Sequence, residues 1–148
     1  MKKILLVMSI FLLCSCTSNK NIELKTYNNL VKELREKEET ITTEELNISV
    51  EVEKLEEIYN YRVLIDKPEF NISDVVALVI TDEEELYPSI GIFDDKISLT
   101  KESKEKGIKL SGYTNNKDIK FKVYISFTKD NKEYKNYYVI DNVTYLGI

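Results

Sequence analysis

Ile119, Phe121, Val123, Ile125 and Phe127 are five large apolar residues at strict period two, with Lys120, Lys122, Tyr124, Ser126 and Thr128 between them. Successive side chains of an extended chain point to opposite faces, whereas a helix would scatter this set around its axis. The segment is therefore read as a strand with one apolar face and one wet face. Such a strand needs hydrogen-bonded neighbours and a second layer to cover its apolar side, and that demand governs the rest of the chain.

The neighbours can be read from the same alternation. Residues 129–132 (Lys-Asp-Asn-Lys) form a hairpin turn, and residues 134–140 return as an aromatic, β-branched strand suited to cross-strand contacts. Upstream, Leu46, Ile48, Val50 and Val52 alternate with polar residues. A charged turn at 54–57 then leads to Tyr59, Tyr61, Val63 and Ile65, so these two strands are expected to pair as an antiparallel hairpin. Asp66-Lys67-Pro68 ends the second strand, because proline has no donor for the ladder. Residues 75–80 are continuously apolar, which predicts a central strand covered on both faces. Short strands follow at 90–93 and 97–99, separated by Asp94-Asp95. A charged loop occupies 101–106, Ile108, Leu110 and Gly112 mark a further strand, and residues 115–118 turn the chain again.

Before the strands the period differs. Tyr27, Leu30, Val31 and Leu34 recur at three- and four-residue steps among charged residues, predicting an amphipathic helix over 23–40. Its narrow stripe fits packing on its own domain better than a free stalk. The expected fold is mainly β: an antiparallel β-sandwich of immunoglobulin or fibronectin-III style over 44–148, preceded by one short N-terminal α-helix. With no tryptophan and no cysteine beyond residue 16, the chain lacks the buried tryptophan and intersheet disulfide of antibody domains. A small barrel is the competing architecture.

The first 22 residues concern location. Lys2 and Lys3 precede an apolar run over 4–13, the layout of an export signal, and the run is too short to span a bilayer. Leu13-Cys14-Ser15-Cys16 then matches a bacterial lipobox. Residues 1–15 are read as a lipoprotein signal peptide that is removed, Cys16 as the residue receiving the diacylglyceryl group, and 16–22 as a polar tether. Cys14 fits less well, because Leu13 would then stand where the peptidase needs a small residue. Two acyl chains hold a protein stably where one holds it only reversibly. The expected location is the extracellular face of the cell membrane. A lysine-rich composition in which only Arg35 and Arg62 are arginine points to an AT-rich, Gram-positive host.

Charge and absences narrow the function. The formal charge is −5, and losing Lys2 and Lys3 makes it −7, which repels phosphate backbones and argues against nucleic acid as a partner. The chain has no histidine and, after lipidation, no free cysteine, so serine or cysteine triads and the usual zinc sites cannot be built. Its four glycines are widely separated and make no phosphate loop. No catalytic residue, metal site or cofactor is expected. Carboxylate chemistry is formally open, yet nothing singles out a pair among the 26 acidic residues. The acidic segment Asp82, Glu83, Glu84, Glu85, closing at Tyr87, is the candidate partner-binding loop. With Asp94 and Asp95 nearby it has calcium-type ligands without the spacing of a calcium loop, so it is read as solvated. Most of the ten tyrosines lie within strands and are read as structural.

The lipobox at Cys16, residues 26–34 (Thr-Tyr-Asn-Asn-Leu-Val-Lys-Glu-Leu), 61–68 (Tyr-Arg-Val-Leu-Ile-Asp-Lys-Pro), 87–93 (Tyr-Pro-Ser-Ile-Gly-Ile-Phe) and 121–125 (Phe-Lys-Val-Tyr-Ile) together resemble the small exclusion lipoproteins of Gram-positive integrative conjugative elements. The resemblance spans most of the mature chain, and the lipobox is its one specific motif. It implies a non-enzymatic, protein-binding lipoprotein that meets the conjugation machinery of a donor cell and blocks redundant transfer. Cys16 is the only functional residue it carries over. The alternative is a solute- or glycan-binding surface lipoprotein, which would need a concave, aromatic-lined pocket.

Overall fold

The computed structural model describes the backbone of residues 2–82 and 86–146 and the side chains of 19–82 and 86–146. A single helix, α1 (Lys2–Arg35), is followed by β1 (Ile48–Leu55), β2 (Ile58–Asp66), β3 (Ile72–Ile80), β4 (Ser89–Ile90), β5 (Ile97–Leu99), β6 (Gly107–Thr114), β7 (Phe121–Lys129), β8 (Lys132–Ile140) and β9 (Thr144–Leu146). Two separate sheets face each other, in the orders β6-β2-β1-β9 and β4-β3-β7-β8, with β5 also pairing with β3. The expected sandwich is thus present, and the barrel is not.

All neighbouring strands are antiparallel except β1 and β9, which run parallel with Val52 opposite Tyr145. The predicted hairpins β1–β2 and β7–β8 both form, the second around Asp130 and Asn131 at φ 51° and 61°. Positive φ at both central residues is what a two-residue hairpin turn requires, and Asp and Asn tolerate it. Gly91, at φ 74°, lies so close to β3 that a Cβ would stand 2.3 Å from the Val75 carbonyl oxygen, and only glycine fits there.

The inward residues of both sheets make the main core. Val50, Val52, Tyr61, Val63 and Ile65 meet Val75, Ala77, Val79, Phe121, Val123, Ile125 and Phe127, and the Tyr61 and Phe121 rings pack edge-on at 5.0 Å. The alternation therefore correctly identified the apolar face of β7. Its other face is not wet: Lys122, Tyr124 and Ser126 are buried as well. For Tyr124 and Lys122 the cause is α1, which lies on the outer side of the β3–β7 sheet. Tyr27 and Leu34 are buried there against Leu78, Ile80, Tyr87, Ile92 and Tyr124, with Leu30 and Val31 packed alongside. The helix packs on its own domain, and residues 19–22, read as tether, belong to it.

The C-terminal end of α1 is held by a strand residue. Lys122 Nζ donates to the Arg35 carbonyl at 2.6 Å and to Glu38 Oε1 at 3.3 Å, supplying a cation where the helix carbonyls lack partners. Beyond the helix, residues 40–46 run along the open edge of β8. Ile41 and Tyr137 exchange two backbone hydrogen bonds of 2.8 Å. The fully buried Asn136 side chain accepts from Thr43 N at 2.9 Å and donates to the Glu44 carbonyl at 2.6 Å. An exposed strand edge is thereby covered.

Lys122, through its hydrogen bond and then its charge, with Lys120 adding to it, holds the Glu38 carboxyl below its usual 4.5. A depressed carboxyl stabilises the fold above its unfolded value, and the benefit fades as pH falls through the lower folded value. Glu38→Gln should accordingly melt below wild type at neutral pH and converge with it in acid below 4.5. A difference that persists unchanged on acidification would contradict this origin.

Candidate functional site

The predicted partner-binding loop is described at its two ends. Asp82 is exposed, and Glu83, Glu84 and Glu85 lie outside the described residues. Tyr87 is only 4% exposed and cannot be offered to a partner from there. Its backbone N–H donates to Tyr27 Oη at 2.7 Å, its hydroxyl donates to the Thr81 carbonyl at 2.9 Å, and Arg35 Nη2 donates to that hydroxyl at 3.1 Å. Tyr87 therefore fastens the loop to α1, an inward role hidden from sequence because Tyr27 is sixty residues away. Asp94 is engaged too, accepting from Gly91 N at 2.6 Å. Among the described residues, no group of three or more metal-capable side chains converges. Cys16 lies outside the residues whose side chains are described.

Other tyrosines are similarly committed to structure. Tyr137 donates to Glu33 Oε1 at 2.5 Å while Lys37 Nζ sits 4.4 Å from its ring centre. Burial first, and the Glu33 carboxylate second, push its phenol well above the ordinary tyrosine range. Tyr138 accepts from Leu46 N at 3.0 Å, and burial raises its phenol as well.

The exposed surface with distinct chemistry is the outer face of β6-β2-β1. Glu51, Glu53 and Leu55 point outward from β1 because Val50 and Val52 point in, and pairing places Leu55 opposite Ile58, and Asn60 opposite Tyr113. Tyr113 stands diagonal to Ile58, a separation that aromatic side chains bridge. Leu55, Ile58 and Tyr113 are all exposed, Tyr113 by 64%. Beside them Arg62 reaches Glu51 at 3.8 Å and Glu53 at 3.5 Å, giving the apolar group a charged border. The signal for this surface was present in the sequence: Leu55, Ile58 and Tyr113 occupy the polar phase of their strands.

Among the described residues two clefts lie elsewhere on the surface. One, of about 450 Å³, is lined by Asp118, Ile119, Lys120, Asp141, Asn142, Val143 and Tyr145. The other, of about 420 Å³, lies between residues 45–48 and Tyr138 and Ile140. Each is open to solvent and lined by one tyrosine. No family model, curated protein or solved structure matches the chain.

Proposed function

We propose that the chain is a membrane-anchored extracellular lipoprotein that acts as a non-enzymatic protein-binding module, held by acylated Cys16 and meeting its partner with the outer face of β6-β2-β1. The observation that carries this reading is the asymmetry of the sandwich. Helix α1 covers one sheet, whereas the other leaves Leu55, Ile58 and Tyr113 exposed together within a charged border. Exposed aromatic and aliphatic side chains grouped inside a polar rim are the usual anchors of protein interfaces. The lipobox supplies the anchor, and the lack of histidine and of a free thiol supports a binding role over catalysis.

The resemblance to exclusion lipoproteins supplies the partner class, the conjugation machinery of a donor cell. Recipients making the wild-type chain should take up a cognate element at least about tenfold less often, the equivalent of about 1.4 kcal/mol in a binding equilibrium. Tyr113→Ala combined with Ile58→Glu should restore uptake without unfolding the domain, because both side chains are exposed. Cys16→Ala should restore it too, by releasing the protein or leaving its precursor uncut. Unchanged uptake with the wild-type chain would remove the exclusion role, and full exclusion by the doubly substituted chain would remove the surface.

A further inference from the structure

We infer that Leu24, Leu86 and Phe93 form a second surface, one that rests on the lipid bilayer holding the anchor. Each stands beside Tyr27 or beside a residue bonded to it. Leu24 lies one helical turn before it on the same face of α1, the Phe93 ring centre is 5.3 Å from the Tyr27 ring centre, and Leu86 precedes Tyr87, whose N–H donates to Tyr27 Oη. All three are exposed, Leu86 by 76%, although each neighbours a buried residue of the helix-to-sheet contact.

The occupant follows from the length of the connecting chain, and this step rests on the lipid-anchor reading. Cys16 is eight residues before Leu24. That stretch spans about 12 Å as a helix and at most about 29 Å fully extended. A patch so close to two acyl chains spends its time at the headgroup boundary, where apolar side chains are favourably buried to a depth of about 5–10 Å. In sequence, Lys20, Lys25 and Lys96 are outnumbered by Glu23, Asp82, Glu83, Glu84, Glu85, Asp94 and Asp95, so the surroundings are net acidic and apolar contact with an uncharged headgroup surface, rather than a basic patch, drives the association. In this pose the bare face of β6-β2-β1, on the opposite side of the sandwich from α1, stays clear of the membrane.

The chain contains no tryptophan, so a single introduced indole reports its own surroundings. The full lipidated chain carrying Phe93→Trp or Leu86→Trp, with Tyr113→Trp for comparison, is reconstituted in phosphatidylcholine vesicles whose acyl chains are brominated near the headgroup. The first two should emit at shorter wavelength and be quenched about twofold or more, as an apolar side chain at that depth requires, with Tyr113→Trp unquenched. Vesicle-bound protein in which Trp emission at 86 and 93 matches that at 113 overturns the docking and leaves the anchor standing, the face then being free for a protein. Protein that does not float with the vesicles at all overturns the anchor and the docking together.

Discussion

Replacing Leu34 with alanine is expected to lower the unfolding free energy by about 3 kcal/mol and the melting temperature by about 10 °C. Leu34 is fully buried between α1 and the β3–β7 sheet, where it shares a cluster with Leu78, Ile80 and Tyr124. Truncation opens a cavity that cannot close easily, since Lys122 fixes the helix end on one side and Tyr87 fixes the loop on the other. Leu34→Asp should go further and detach the helix, because a carboxylate buried among Leu78, Ile80 and Tyr124 loses its hydration. Thermal melting gives the first quantity and amide exchange along residues 27–35 the second. Loss confined to a degree or so would mean that the helix contributes little to the fold.

A comparable loss is expected from adding one methyl group at Gly112. A Cβ at that position would stand 2.3 Å from Tyr61 Oη and 2.5 Å from Cζ, inside van der Waals contact with the ring of the residue paired opposite it in β2. Tyr61 is 1% exposed and packs edge-on against Phe121, so its ring has nowhere to retreat. Gly112→Ala should therefore cost about 3 kcal/mol through overpacking. The origin is testable by a double-mutant cycle. In a Tyr61→Leu background the added methyl should cost much less, and equal cost in both backgrounds would assign the loss to backbone effects instead.

Periodicity revealed where strands run and which side of each is the more apolar, but not what rests on the other side. In β7 the residues between the apolar ones are Lys122, Tyr124 and Ser126, all compatible with water, yet all buried, Tyr124 against α1 and Lys122 at its C-terminal end. Lysine and tyrosine have long apolar bodies that can be covered once their polar tips find partners, and a distant carbonyl at Arg35 provides one for Lys122. The same limitation placed Tyr87 in an exposed acidic loop, when its partners Tyr27 and Arg35 come from the far end of the chain. The edge cover over 40–46 and the terminal strand β9 leave too few periodic residues to be read locally, since each exists only by pairing with β8 or β1. The outer surface of β6-β2-β1 was legible in principle, because Tyr113 and Ile58 break the polar phase of their strands.

The pairing of β9 with β1, and of Ile41 with Tyr137 of β8, closes loops of more than ninety residues. Loop closure over such separations has to be completed before these contacts return any energy, so folding of this kind is slow compared with that of helical domains. The N-terminal third has no finished lodging until the β7–β8 hairpin exists to receive it. The sandwich is therefore completed as a unit, with α1 and residues 40–46 gaining their cover only when β7 and β8 are paired.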